Sequence, residues 1–463
     1  MFRYFSGGIN SESGTISSPE WNNRALFNMI CPLIIEQLLA VTMGAVDTAM
    51  VSSAGEHAIS GVNIVDNINN LLIIAFSALC TGGAVVVSQY IGRRDTENAR
   101  LASRQLVYIV SGVSLIIMAA AFTLRRSIIT LIYGNIEAGV MNAASTYLMI
   151  TSLSYPALAL YNSCAALFRA AGNSKITMLT ALLVNILNIG GNAIFIYVCG
   201  MGVAGAALST LISRTAAAAV LIFLLCASRR GPVSLAGILK IKITRPMIHN
   251  ILNVGIPSGL ESSMFQTGRL LTQRIFTTFG TAAIAGNAIA SVINSFSFMP
   301  GNAYGMVLLT VVGQCIGAGD YAAARRNTIK IMKLSYITLF VMNLFIYIFM
   351  EPLISVFSLS GEAHSFAKSF LRVHCISMTL GWGMSFGLPN ALRAAGDVRY
   401  VMIAATVSMW AVRVSAAYLL SYTLGAGPLG VWLAMGGDFI CRGTCYLIRW
   451  LSGKWEKQRV LAN

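Results

Sequence analysis

Apolar residues run in long unbroken stretches along almost the whole chain, separated by short polar segments. Twelve stretches reach the roughly 20 residues that an α-helix needs to cross a hydrocarbon core. They lie at about 25–51, 61–90, 103–124, 143–170, 175–198, 203–227, 248–276, 284–316, 331–351, 365–394, 399–421 and 428–451. Lys and Arg fall in alternate connections: Arg93, Arg94, Arg100 and Arg104 in the second, Arg169 and Lys175 in the fourth, and Arg229, Arg230, Lys240, Lys242 and Arg245 in the sixth. Arg325, Arg326, Lys330 and Lys333 follow in the eighth, and Arg393 and Arg399 in the tenth. The odd connections hold almost none apart from Arg125 and Arg126. Basic residues gather on the cytoplasmic side of a membrane, so the even connections and both termini are expected there. A missed span would break the alternation.

The pattern repeats. Shifted by 225 positions, Pro32 meets Pro257, Glu36 meets Glu261, Gly55 meets Gly280, Gly61 meets Gly286 and Asn69 meets Asn294. QYIGRRDTENAR (89–100) meets QCIGAGDYAAAR (314–325), and after a one-residue slip FRAAGN (168–173) meets LRAAGD (392–397). Six spans separate the copies. An even number keeps both copies in the same orientation, so the repeats are parallel. The expected organisation is an N-terminal tail at 1–24, a first six-helix lobe at 25–227, a cytoplasmic linker at 228–247, a second lobe at 248–451 and a C-terminal tail at 452–463. The fold class is all-α and polytopic, with twelve transmembrane helices in two parallel six-helix repeats.

Composition supports the membrane reading. Hydrophobic residues make up 56% of the 463-residue chain and charged residues 10%, where a soluble domain carries about 25% charged residues. Mean hydropathy is +0.72. The net charge of +16 would suggest nucleic acid in a soluble protein; its distribution here makes it a topology signal. The nine cysteines lie mostly in apolar runs and read as small buried hydrophobes. The four histidines are too scattered for a metal centre. The first apolar run is a full span without a cleavage site, so it should remain as a helix. The sequence contains no HExxH, GxSxG, DDxxD or Walker A motif. No enzyme, no catalytic residue, no cofactor and no single-chain ATP-driven pump is therefore expected.

Where the halves differ, candidate chemistry appears. Asp47 lies inside the first span, where an acid costs about 2.5–3.5 kcal/mol. Its repeat partner is Thr272. Asn63, Asp66, Asn67 and Asn70 fall on one face of the second span, with Ala288, Ser291, Val292 and Ser295 as partners. Asn185, Asn188 and Asn192 share a face of the fifth span, against Met409, Val412 and Ala416 in the second half. Thr210 on the sixth span can point the same way. Asp47, Asp66, Asn63, Asn67, Asn185, Asn188, Asn192 and Thr210 are thus the candidate cation-coupling set. The alternative is that the amides are interhelical glue, worth about 0.6–2 kcal/mol per pair. A carboxylate in a low-dielectric bundle with a second acid nearby can take up and release a proton. The same oxygens, chiefly at Asp47, Asn188 and Asn192, could hold Na⁺ instead.

Glu36 lies eleven residues before Asp47, three helical turns, and Glu261 repeats it. The two glutamates are expected to face each other across a cavity and attract cations; the alternative is that each pairs with a nearby arginine. Met43, Tyr155, Tyr161, Phe265, Gln266 and Trp382 are candidate substrate contacts, because Met and aromatic side chains suit a promiscuous pocket. Arg269, Arg274, Arg372, Arg413 and the Asp438/Arg442 pair are expected to form internal ion pairs.

VDTAMVSSAG after a Pro-bearing first span resembles the multidrug and toxic compound extrusion (MATE) family. QYIGRRD and QCIGAGD, the LFRAAGNSK and LRAAGDVR turns, and GVAGAALST do so too, over nearly the whole chain from about Trp21 to Trp450. The resemblance implies a V-shaped, two-lobed antiporter that exports amphipathic, cationic compounds in exchange for H⁺ or Na⁺. It also implies a monomer in a prokaryotic inner membrane, with lipids and small molecules as partners and no nucleic acid. NorM-like members carry acids in the seventh and tenth helices. Here Phe265 and Gly381-Trp382-Gly383 stand near those positions, so the DinF-like branch, with coupling on the first-helix aspartate, fits better and maps to Asp47. Asn192 replaces a second acid in the Asn188-Ile-Gly-Gly-Asn192 motif and tilts the expectation toward protons. The alternative on this superfamily scaffold is a flippase or exporter of a lipid-linked or native metabolite, for which Arg269, Arg274 and Arg413 are candidates.

Overall fold

The computed structural model describes residues 21–228, 231–238, 240–357, 359–458 and 460–461. The described residues hold helices and connections with no strand. Twelve helices occur where the apolar pattern places them. They are α1 (Asn23–Val51), α2 (Glu56–Gly92), α3 (Thr96–Tyr133), α4 (Ala138–Ser152, resumed at Tyr155–Ala170), α5 (Ser174–Asn192) and α6 (Gly202–Ala227). The second half supplies α7 (Arg245–Thr277), α8 (Thr281–Gly317), α9 (Tyr321–Ile348), α10 (Gly361–Trp382, resumed at Leu388–Ala394), α11 (from Val398–Val407 on to Leu419–Thr423) and α12 (Leu429–Leu451). The proposed N-terminal tail lies outside the described residues up to position 20, as do Arg229 and Arg230 of the sixth connection.

Eight of these helices are long and apolar enough to cross a membrane by length and composition alone. The other four have identifiable reasons. α4 is interrupted at Leu153–Ser154, and neither piece reaches 18 residues. α7, α10 and α12 carry charges inside the span, among them Glu261, Arg269, Arg372, Asp438 and Arg442. α3 extends past its expected end at 124 to Tyr133, with a kink at Leu124. The helix continues there because Arg125 finds Ser145 Oγ (3.2 Å) and its own Phe122 carbonyl (2.8 Å), while Arg126 reaches Asn142 (3.3 Å).

The chain forms two compact units, one spanning Phe27–Gly255 and one formed by Ile256–Asn463 with residues 21–26. The division falls inside α7 rather than at the linker. The linker is packed onto the first unit: Arg100 Nε donates to the Gly231 carbonyl (3.0 Å), Tyr108 to that of Ile238 (2.6 Å) and Gln105 to that of Lys242 (2.5 Å). The first unit's core gathers Val65, Ile129, Leu148, Tyr155 and Ala207. That of the second is more aromatic, with Phe370 stacked on Trp432 at 5.7 Å and Trp382 on Phe386 at 5.7 Å.

The repeat persists in local detail. Asp95 caps α3 by accepting from the Asn98 amide (3.0 Å), and Asp320 caps α9 by accepting from Ala323 (2.8 Å). Just before these caps both backbones turn left-handed, at Arg94 (φ 60°) and Gly319 (φ 78°). The second copy meets that turn with the residue that adopts it without strain.

Candidate functional site

Four helices of the first unit bring a polar cluster together. Asn192, at the last turn of α5, donates to Asp47 Oδ1 on α1 at 2.5 Å. It also lies 3.4 Å from Asn188 Oδ1, and Asn188 in turn donates to Thr210 Oγ1 on α6 at 3.4 Å. The α5–α6 approach is close: a Cβ at Gly191 would sit 2.5 Å from Ser209 Oγ, and that hydroxyl donates to the Asn188 carbonyl at 2.7 Å. α5 passes into a π-helical turn immediately after Asn192, at Ala193–Val198, a distortion frequent at functional sites.

The second acid joins from α2. Asp66 accepts from Asn69 (3.4 Å), whose own carbonyl oxygen accepts from the buried Tyr155 hydroxyl (2.9 Å). Buried Tyr147 faces Asp66 and Thr210. Arg214, on α6, donates to Ser154 Oγ at 2.9 Å and acts electrostatically on both Asp47 and Asp66. Two carboxylates therefore share one guanidinium. Neither Asp47 nor Asp66 forms an ion pair within 4 Å among the described residues.

Of the expected cation set, Asp47, Asp66, Asn188, Asn192 and Thr210 are assembled here. Asn185 is buried one turn earlier and donates to the Ala181 carbonyl (2.9 Å). Asn63 and Asn67 are exposed, so they do not join the cluster through a buried face. Asp66 lies at the edge between that exposed face and the buried one, and the residue beside it is Asn69, one turn on. Arg214, Tyr147 and Asn69 were absent from the expected set.

The two glutamates are not free carboxylates. Glu36 accepts from Arg169 Nη1 (2.9 Å) and Thr177 Oγ1 (2.5 Å). Glu261 takes both oxygens to Arg393 Nη2, at 2.7 and 2.8 Å. Each pair joins the first and fourth helices of its own half, and both arginines belong to the repeated RAAG turn. An arginine at hydrogen-bond distance neutralises each acid, which removes the basis for expecting them to attract cations. Among the substrate candidates, Tyr155 is fully buried with its hydroxyl occupied, and Trp382, 1% exposed, is core. Tyr161 is half-buried near Glu36 and Arg169. Met43, Phe265 and Gln266 are also half-buried.

Phe265 lines a cavity of about 160 Å³ within the second unit, together with Arg269, Thr272, Ser291, Asn294, Phe298, Arg413 and Trp432. This cavity lies at the repeat counterpart of the acidic cluster. Thr272 and Asn294 stand 225 positions after Asp47 and Asn69, and Ser291 stands 225 after Asp66. Of the residues expected to form internal ion pairs, Asp438 lies between Arg442 (3.6 Å) and Arg413 (4.0 Å).

A twice-repeated, all-helical polytopic chain with an intramembrane acid cluster has the form of a membrane transporter. The MatE family model matches residues 32–194 and again 257–419, each bound displaced by the same 225 positions (257 against 32, 419 against 194). The chain belongs to the MatE family and is a multi-pass membrane transporter of the multidrug-efflux kind. It is 28% identical over 453 residues to the "Probable multidrug resistance protein NorM" of Thermotoga maritima, covering 95% of this chain and 94% of that protein. It is 27% identical over 454 residues to the "Uncharacterized transporter YisQ" of Bacillus subtilis, covering 96% and 97%. In fold it is similar to a solved structure described as "Crystal structure of MATE in complex with MaD3S", with TM-score 0.87, 19% identity and coverage of 94% and 97%.

Proposed function

We propose that the chain is a secondary antiporter that exports amphipathic, cationic compounds in exchange for protons, with coupling at Asp47. The observation that carries this reading is the charge balance of the first-half cluster. Glu36, Glu261, Asp397 and Asp438 each have an arginine within 4 Å, whereas Asp47 has an amide. Asp47 and Asp66 share only the more distant Arg214. A cluster with two acids and one base is completed by one added cation, and a proton is the smallest. Proton and substrate then bias the same two states in opposite directions, which is what exchange requires. Pro32 and Gly44, on either side of Glu36 in α1, are the points where that helix would bend. The multidrug naming of the NorM relative supports the substrate class. An N-lobe site also favours the DinF-like branch.

Asn192 presents an amide donor to Asp47, where a second carboxylate would favour a metal cation. One observation favours Na⁺ as the alternative: Asn192 Oδ1 is buried without a hydrogen-bond partner, an acceptor that a hard cation could use. The alternating arginines and lysines support a bacterial membrane orientation with both termini in the cytoplasm. The chain works as a monomer with lipids around it. Purified protein in liposomes containing a pH-sensitive dye tests the reading. Ethidium or norfloxacin should move against an imposed proton gradient and not against a Na⁺ gradient. Movement driven by Na⁺ alone would transfer the role to the alternative ion. Failure to move any cation would favour export of a lipid-linked or native metabolite.

A further inference from the structure

The second half holds the electrostatic opposite of the first. Arg269 and Arg413 line its cavity, and no acidic side chain does. Arg442 stands directly behind, with its guanidinium 5.5 Å from the Phe265 ring, the same distance as that of Arg413. Among the described residues one acid, Asp438, serves this group. Its Oδ1 is taken by Ser408 Oγ at 2.6 Å, and its Oδ2 lies 4.0 Å from Arg413 and 3.6 Å from Arg442 without a hydrogen bond to either. Arg413 Nε and Arg442 Nη2 are buried donors with no acceptor, although the two side chains are 8% and 3% exposed. Asn294 Oδ1, also buried in the cavity wall, lacks a partner too. Arg269 is exposed and has no ion pair among the described residues.

Buried guanidinium donors without acceptors are costly. Arg442 satisfies its Nε on Ser385 Oγ at 2.8 Å but not Nη2. Two buried arginines beside one carboxylate, with the exposed Arg269 at the cavity wall, leave an excess of positive charge. The rest of the cavity wall mixes neutral polar side chains, Thr272, Ser291 and Asn294 among them, with the aromatic rings of Phe265, Phe276, Phe298 and Trp432. Its volume of about 160 Å³ is close to the roughly 150 Å³ that accommodates one benzene ring. α11 brings Arg413 here from a π-helical segment, Ser408–Val414.

We propose that this cavity binds an amphipathic organic anion: a carboxylate, sulfonate or phosphate head set against Arg269 and Arg413, with an aromatic or alicyclic body among the phenylalanines and Trp432. The anion supplies the acceptor that Arg413 lacks and offsets the positive excess that Arg442 adds behind it, and guanidinium forks are well matched to such heads. The site stands on the second unit alone. It is read by binding without transport, so its test succeeds or fails independently of the cation-exchange proposal.

The test is calorimetric titration of the full chain in phosphatidylcholine nanodiscs, with empty nanodiscs as the blank. The probes are benzenesulfonate, its neutral analogue benzyl alcohol and the cation benzylammonium. The sulfonate should bind at least about tenfold more tightly than either, the scale of one charge-assisted bond. Arg269→Gln, at an exposed position, should weaken the sulfonate about tenfold and leave the neutral probe unchanged, while Arg269→Lys should recover part of the loss. Adding phosphatidylglycerol distinguishes the source of the head group. Competition assigns the site to an anionic lipid and lack of competition to a soluble anion, and each upholds an anion site. Equal binding of all three probes, or an unchanged sulfonate affinity in Arg269→Gln, overturns it.

Discussion

The two halves of this transporter hold their helices together in the same way and differ where a ligand could sit. Glu36–Arg169 and Glu261–Arg393 are one ion pair made twice, and Asp95 and Asp320 are one helix cap made twice. At the polar centre the likeness ends. Asp47 and Asp66 in the first half become Thr272 and Ser291 in the second, and arginines enter on α7, α11 and α12. One scaffold thus presents an acidic cluster and a basic cavity at equivalent places. The contrast separates architecture from chemistry inside a single chain: groups repeated with their partners are structural, and groups that change charge are candidates for ligand contact.

This comparison can be broken at several points. The largest effect on stability is expected from Asp438→Asn, which leaves Arg413 and Arg442 buried without the one carboxylate near them among the described residues. Removing one partner of such a group costs about 3–5 kcal/mol, visible as a lower unfolding temperature in detergent. If the mutant is as stable as the wild type, the arginines are already compensated and the positive excess is illusory. Next come Glu36→Gln and Glu261→Gln. If the pairs are architecture, each should destabilise by roughly 2–3 kcal/mol, less than a fully buried pair because each retains some exposure, and transport per folded molecule should survive. Selective loss of transport in one of them would return that glutamate to the site.

Smaller effects sharpen the likeness. Arg94→Gly copies Gly319 into the first half. Relief of the left-handed strain, about 1–2 kcal/mol, opposes the roughly 0.5–1 kcal/mol entropic cost of glycine and the loss of the arginine's own interactions, so stability should change by no more than about 1 kcal/mol. A clear loss would show that the turns are not equivalent. The smallest effect lies outside the membrane helices, in the short helix Met350–Ser355. Hydrogen bonds from Lys368 and His364 hold the Glu351 carboxyl below its ordinary range. A lowered folded-state pKa contributes stability that is present above the unfolded value and is lost as pH falls through the folded one. Glu351→Gln should therefore lower stability slightly at neutral pH and flatten the acid side of the stability profile, the difference from wild type disappearing well below about pH 4. In the first half the His57–Glu137 contact is looser, 3.7 Å and exposed, and Glu137→Gln there should do nothing measurable.

Much of the architecture was legible in the sequence, because span length, alternating basic connections and the 225-residue repeat are each simple signals. The helices with charged interiors were found by the repeat as much as by hydropathy. The candidate site was legible in part. Asp47, Asp66, Asn188, Asn192 and Thr210 were readable as acids and amides on helical faces. Arg214 was missed although it lies one turn after Thr210 on the same face of α6. Extending the face rule from amides to every polar residue finds it. Asn69 was passed over in favour of Asn67 because spacing alone does not say which side of Asp66 is buried. The π-helical turns at 193–198 and 408–414 have no period that a sequence reading resolves, yet they set where Asn192 and Arg413 stand. Glu36 and Glu261 showed the opposite error: both the acid and its arginine were visible, but their pairing needed the fold.

The central claim is that the first half exchanges cations at Asp47. The most direct measurement is ethidium transport by wild type and Asp47→Asn in liposomes that report internal pH. A coupling free energy of about 1–3 kcal/mol corresponds to roughly 5–150-fold, and gradient-driven transport should fall by that factor in the mutant while the protein stays folded. Asp47→Asn transport that responds to the proton gradient as fully as the wild type would contradict the account.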